Sequence, residues 1–393
     1  MKPITNSTKP RRVWADRVLI AAFLFLLWAP TLDSFFKLDR SGPPGENRLP
    51  AAFPQLRQTN LAGARQFIGG LENYFDDHFG FRKQLIRWFQ KWKTSLFRDS
   101  SVYKIISGRD GWLFWGEAQM VEHFLGIEKF STAQLQSWQT LLEARRDWLA
   151  ARGIKYLFVI APDKQSIYPE MLPDWLMRAV TTNRETKLDQ FLKYMKNHST
   201  VAILDLRTPL LAAKKIAPTY LQNDTHWNFF GSFVGAQAVV VALARDFPSL
   251  PTLDQNDFTL TRTQSTGGDM AKMLGLEKTE NNFFTFAPKP GLLPLEMQEE
   301  TKFSTPWGMR RVFNFENHVP RSVTIVLFTD SFGESWRKIL GYPFQRTVFL
   351  DDNRCFSPPL IIATKPQIVV NEMVERSLNI EDPSQMLAKD PLP

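Results

Sequence analysis

Three side chains in this 393-residue sequence have types and spacing suited to nucleophilic catalysis: Ser331, His226 and Asp224. Ser331 lies in Val323–Trp336, VTIVLFTDSFGESW, which reads as a buried strand, a sharp turn and a helix. A serine at such a junction can be aimed into a cleft, near the backbone N–H groups of the helix start. His226 lies in NDTHW, Asn223 to Trp227, ahead of a helix expected from about Gly231 to Arg245. Asp224 stands two residues before it, close enough in a turn to fix the imidazole tautomer and leave the other nitrogen for a serine proton. The three would form a triad in the chain order Asp, His, Ser, which geometry permits. The plain alternatives are a helix-capping serine and a core or metal-ligating histidine. A metal site would need further ligands nearby; none is evident in the sequence, so no metal and no cofactor is expected.

Composition is that of a folded chain and not of a disordered one. Hydrophobic residues make up 44% and aromatics 13%, enough for a substantial core. The net charge of +8 is spread along the chain without a recognised binding motif, so no nucleic-acid partner is expected. Cys355 is the single cysteine, which excludes an intrachain disulfide and a cysteine-based zinc site.

The elements that must position the candidate residues read as an α/β alternation. Lys2, Lys9, Arg11, Arg12 and Arg17 precede the apolar run Val18–Ala29. Residues 1–37 are therefore expected as a basic tip and an uncleaved signal-anchor helix, extended by Val13–Ala15 and Leu32–Phe36, with the body outside the cytoplasm; the alternative is a buried N-terminal helix. Residues 38–60 read as a linker. Residues 61–393 read as the body, beginning with a helical hairpin over 61–98. Asp76, Asp77, His78 and Arg82 in its turn fit packing better than catalysis. Ser131 and Gln134 mark a capping box, and Gly153 a helix end. Apolar strands are expected at 154–160, 201–204, 323–328, 347–350 and 367–370, with helices between them. Residues 250–320 read as an irregular insertion with some β-hairpin.

The two motifs DTHW and TDSFG resemble those of the alginate O-acetyltransferase family of bacterial exopolysaccharide secretion, in its SGNH-hydrolase-like domain. The pieces ENR at Glu46–Arg48, YFDDHFGFR at Tyr74–Arg82, GRDGWLF at Gly108–Phe114, APDKQSIYPEMLP at Ala161–Pro173 and VVNEMVERSL at Val369–Leu378 are similar as well. The resemblance implies a circularly permuted SGNH-like parallel sheet flanked by helices. Strands at 323–328, 347–350 and 367–370 would be the first three of the usual order, and those at 154–160 and 201–204 the last two. It implies catalytic roles for Ser331, His226 and Asp224 in an inner-membrane-anchored, periplasmic enzyme. A membrane-bound acyltransferase would supply the acetyl group, and an anionic or neutral polysaccharide such as alginate would accept it.

Two positions depart from the family pattern. Thr329 stands where the serine block has glycine, and LDDNRC lacks the oxyanion glycine. Asn371, at the expected strand end, is a candidate oxyanion donor or a strand-end cap. Lys164, in the APDK turn, is a candidate contact for anionic sugar or a solvated surface lysine. An acetyl esterase or polysaccharide deacetylase with the same triad fits the same residues, as does a non-catalytic polymer-binding secretion component.

Overall fold

Continuous apolar runs build the centre of the main sheet, as expected where both faces are covered. The computed structural model describes residues 13–38, 51–56, 61–81, 84–85, 105–117, 119–274, 276, 279–289, 297–318, 321–390 and 392. The strands among them are β1 (Ile105–Ser107), β2 (Leu113–Trp115), β3 (Lys155–Ala161), β4 (Ile203–Asp205), β5 (Phe258–Thr266), β6 (Thr279–Pro288), β7 (Met297–Thr305), β8 (Gly308–Glu316), β9 (Thr324–Phe328), β10 (Arg346–Leu350) and β11 (Ile368–Val374). The chain divides into one unit of residues 1–98 with 272–276 and a second of residues 99–271 with 277–393.

In the second unit a seven-stranded sheet runs β4-β3-β11-β9-β10-β8-β7. The five strands from β4 to β10 are parallel. Counted from β9, their spatial order is 2-1-3-4-5, the flavodoxin-like arrangement, entered at the fourth strand. The permuted sheet anticipated from the motifs is therefore present. β3 feeds two cores by alternation: Leu157, Val159 and Ala161 pack on one face, Tyr156, Phe158 and Ile160 on the other. The capping box forms as read, with the Gln134 N–H donating to Ser131 Oγ and the Ser131 N–H to Gln134 Oε1. Beyond that helix, Thr132–Ala150, Gly153 takes a positive φ of 69°.

Three expectations change. The 250–320 stretch contains the expected β-hairpin pairing, but only β5 and β6 stay apart, while the β7–β8 hairpin adds antiparallel to β10 and makes the main sheet mixed. The segment after Ser331 is a short 3-10 turn, Gly333–Lys338, rather than an α-helix. Strand β11 runs on through Asn371 to Val374, so Asn371 is inside the strand and not at its end.

In the first unit a 24-residue helix covers Val13–Phe36, with Pro30 inside it. Leu19, Phe23 and Phe25 on this helix are exposed. Among the described residues no helix is long and apolar enough to cross a membrane. The first half of the expected 61–98 hairpin is the helix Leu61–His78. The Asp77 carboxylate accepts the Ala51 N–H at 2.7 Å and His78 stacks on Tyr74, which favours the packing reading of this turn. Arg82, the ENR piece and most of the expected linker and second hairpin helix lie outside the described residues.

Candidate active site

The serine turn leaves β9 at the sheet's switch point, between β10 and β11, where ligands of open α/β sheets gather at the carboxyl ends of the strands. Asp330 makes the turn sharp. Its Oδ1 accepts the Phe332 N–H at 2.8 Å, and its Oδ2 accepts the Val374 N–H at 2.8 Å and the Asn353 amide at 3.0 Å. Gly333 is needed because a Cβ there would clash with the Thr329 side chain. Ser331 is thereby left exposed.

The 223–227 segment arrives from the β4 side. Lys164 is buried beneath it, and its ammonium donates to the carbonyls of Leu221, Gln222 and Asp224 at 2.9, 3.2 and 2.6 Å. Gly268, at φ 106°, lies so close to the Asn223 carbonyl that a side chain would collide with it. The Asp269 N–H then donates to Asp224 Oδ2 at 2.8 Å. Trp227 joins the two halves, its indole N–H reaching the Phe332 carbonyl at 3.1 Å. The Phe332 ring packs on both His226 and Trp227, with centroids 5.0 and 5.1 Å away.

These supports bring Asp224, His226 and Ser331 into one hydrogen-bonded line. His226 Nδ1 stands 2.7 Å from Asp224 Oδ1, and His226 Nε2 stands 2.8 Å from Ser331 Oγ, across 105 residues of sequence. The carboxylate favours a proton on Nδ1, which leaves Nε2 as an acceptor for the serine O–H. Burial works to raise the Asp224 carboxyl, but the hydrogen bond and charge of His226 outweigh it and hold the group at about 2. Burial works to lower His226; the Asp224 hydrogen bond and the charges of Asp224 and Asp269 win, and its pKa rises. The arrangement can take a proton from Ser331 and return it to a leaving oxygen.

Sequence reading missed Asp269, which comes from the insertion. Its Oδ2 lies 3.7 Å from His226 Nδ1, and burial followed by the Asp224 charge raises its carboxyl. Asp224, His226 and Asp269 each offer one ligand atom within 4.8 Å of the others, the spacing of a potential cation site. The hydrogen bonds to His226, to the Thr225 hydroxyl at 2.5 Å and to backbone N–H groups already occupy these carboxylates.

Two expected site residues are elsewhere. Asn371 is fully buried: its Oδ1 accepts from Arg145 at 2.6 Å and its amide donates to the Asn353 carbonyl at 3.0 Å, so it offers nothing to the cleft. Lys164 faces the 221–224 carbonyls rather than solvent or sugar, and burial pushes its ammonium down to about 7. The cleft itself, of about 460 Å³, opens at Ser331 and is lined among others by Arg310, Arg337, Asn353, Arg354 and Arg376. All four of these cations are paired, Arg310 and Arg354 with Asp352, Arg337 with Asp351 and Arg376 with Asp163.

The sheet order is that of an SGNH-like α/β fold, and residues 105–297 match the family described as "SGNH hydrolase-like domain, acetyltransferase AlgX". The resemblance to the alginate O-acetyltransferase family seen in the motifs therefore holds. The chain is 27% identical over 224 residues to "Probable alginate O-acetylase AlgJ" of Pseudomonas syringae pv. tomato, covering 56% of this chain and 52% of that one. It is 25% identical over 243 residues to the protein of the same description from Pseudomonas aeruginosa, covering 60% and 55%. The chain thus spans little more than half the length of these relatives. Among solved structures it shares its fold with Bacillus cereus PatB1 with a sulfonyl adduct (TM-score 0.53, 15% identity, 73% of this chain and 99% of that). It also resembles a DHHW family protein from Eubacterium siraeum (TM-score 0.51, 13% identity, 72% and 94%). The family match takes in Asp224 and His226 and stops short of Ser331, which the geometry alone adds.

Proposed function

We propose that the chain is an O-acetyltransferase that moves an acetyl group onto hydroxyls of a bacterial exopolysaccharide, alginate or a similar polymer, through an acetyl-Ser331 intermediate. The observation that carries this reading is the unbroken line from Asp224 through His226 to the exposed hydroxyl of Ser331. Ser331 Oγ attacks the acetyl carbonyl as its proton passes to His226 Nε2. The donor oxygen leaves with that proton, and a sugar hydroxyl then repeats the sequence in reverse. Asp224 holds the imidazole and balances its charge.

The cleft beside Ser331, about 460 Å³ and lined by polar side chains of both charges, suits a saccharide acceptor, anionic or neutral. The same triad in water is an esterase. Purified protein is incubated with a chromogenic acetyl ester, with and without oligosaccharide. Transfer gives acetylated sugar by mass spectrometry; ester release indifferent to glycan, with no acetylated sugar, sinks the transferase and leaves the esterase. Polymer acetylation surviving Ser331→Ala in cells would favour a non-catalytic binding role.

Location belongs to the same reading. The helix Val13–Phe36, about 36 Å long at helical rise, follows a basic segment and exposes Leu19, Ile20, Phe23 and Phe25. Although no described helix is long and apolar enough to cross a membrane, these features are the support for an N-terminal inner-membrane anchor with the catalytic unit in the periplasm; the membrane-bound acyltransferase as acetyl donor rests on the family resemblance alone. Release of the protein from membranes by carbonate washing would count against the anchor.

A further inference from the structure

The charge-stabilising half of the site lacks the side chain first considered for it, because both polar atoms of Asn371 are engaged inside the protein. The Ser331 N–H, which donates to no protein group among the described residues, supplies one donor. Attack on an acetyl carbonyl places a full negative charge on oxygen, and a low-dielectric site gains most from a fixed cation there.

We propose that Arg376 supplies that charge: its guanidinium, held at the rim of the serine turn, is the second stabiliser of the acetyl oxyanion. The proposal rests on the acyl-transfer reading given above. Arg376 follows β11 by two residues and lines the cleft together with Ser331. Its guanidinium carbon sits 5.3 Å from the Phe332 ring centroid, the ring against which His226 also packs. One nitrogen, Nη1, is pinned by the buried carboxylate of Asp163. No protein acceptor takes Nε or Nη2 among the described residues, although the side chain is only 18% exposed. A guanidinium fixed at one corner, with donors left over at the edge of a cleft, is already organised for an anion. Its field already reaches the base and the serine turn, working to lower both His226 and Asp330.

The electron balance places the demand on this group twice. When Ser331 Oγ bonds to the acetyl carbon, its proton goes to His226 Nε2 and the carbonyl pair moves onto oxygen. The oxyanion collapses as the bond to the donor oxygen breaks and that oxygen takes the proton from Nε2. A sugar hydroxyl, giving its proton to Nε2, bonds to the acetyl carbon and forms a second tetrahedral oxyanion in the same place; its collapse breaks the bond to Ser331 Oγ, which takes the proton back from Nε2.

The test uses the whole chain and a neutral chromogenic acetyl ester, so that no substrate carboxylate is present. Arg376→Met is expected to lower kcat about 100-fold, the scale of losing one oxyanion donor, with KM nearly unchanged. Arg376→Lys keeps a charge and should lose less; it also stands in if the Met variant folds poorly. Added guanidinium should restore part of kcat to Arg376→Ala. Turnover lost in Ser331→Ala but kept within threefold in Arg376→Met overturns this proposal alone. Turnover surviving in Ser331→Ala brings down the acyl-transfer reading and this proposal with it. A loss in Asp163→Asn as large as in Arg376→Met, with no guanidinium rescue, makes Arg376 a structural brace and also overturns it. Ester turnover intact with only sugar acetylation lost assigns the arginine to the acceptor instead, and counts equally against it.

Discussion

Arg145 Nη1 and Asn371 Oδ1 meet at 2.6 Å within the packed body, joining two fully buried polar residues 226 positions apart. The second arm of the guanidinium donates to the Arg354 carbonyl at 2.8 Å. Asn371 thereby ties the helix Thr132–Ala150 to the centre of the sheet. Removing one partner of a buried charged hydrogen bond leaves the other uncompensated. Asn371→Ala is expected to lower stability by about 3 kcal/mol, measured by urea unfolding. The kcat of the folded fraction should stay within a few-fold of wild type. A folded variant with a hundredfold loss of kcat would return Asn371 to the oxyanion role.

The Asp224–His226 pair sets the pH profile. With the imidazole pKa raised above 6.5, the base form needed by Ser331 is lost as pH falls through that raised value. The acid limb of kcat/KM should therefore lie above 6.5. Asp224→Asn should move this limb downward and lower kcat by about 10⁴. Stability runs the other way on the alkaline side. The raised His226 stabilises fully below 6.5 and loses that contribution as pH rises through its folded value; the depressed Asp224 stabilises above 3.8 and loses its contribution as pH falls towards about 2. An acid limb unchanged in Asp224→Asn would show that this carboxylate does not govern the base.

Glu372 is a fully buried acid directly behind the serine turn, and its Oε2 accepts the Asp330 N–H at 3.1 Å. Burial, then the neighbouring Asp330 charge, pushes its carboxyl well above 4.5. The folded state keeps a proton that the unfolded chain releases above 4.5, so this group loses stabilising effect as pH rises. Glu372→Gln removes that slope. Its melting temperature should gain on wild type as pH rises above 4.5. Parallel curves for the two proteins would mean that Glu372 is ionised in the fold.

Lys164 clamps the loop that carries Asp224. Lys164→Met strips the donors from three carbonyls and is expected to destabilise by about 2 kcal/mol, with a fall in kcat exceeding any rise in KM. Its folded pKa, lowered to about 7 by burial, sets the sign of the pH effect. Between pH 7 and 10.5 the unfolded chain binds the extra proton, so wild type gains on the variant as pH rises through that window. A constant gap would argue that the amine is charged throughout.

Sequence revealed the parts of this molecule whose signals are local. IKYLFVI and VTIVLF are continuous apolar runs, and they form β3 and β9 within a residue or two of the expected bounds. The pairing of DTHW with TDSFG also carried its geometry, since Trp227 and Phe332, one residue beyond each reacting group, are what hold the two together. The β7 strand was hidden because MQEETKFST is an exposed sheet edge, with neither a buried face nor alternation to mark it. Asp269 was hidden because its meeting with Asp224 depends on where a polar insertion folds back, 45 residues later. Asn371 and Lys164 carried the right chemistry in the wrong surroundings: their types were legible, but burial and partners are properties of the assembled sheet.

The position of β11 governs when the chemistry can begin. Among the described residues β11 is the last strand in sequence, yet it lies in the middle of the sheet, bonded to β3 on one side and β9 on the other. The half that carries His226 and the half that carries Ser331 have no ladder between them until it inserts. A growing chain therefore makes the base first, the nucleophile about a hundred residues later, and the keystone after both. Such long-range closure is slow, and it makes reactivity a reward for completion: a chain halted before β11 holds every member of the triad but lacks the strand ladder that joins the two halves of the sheet.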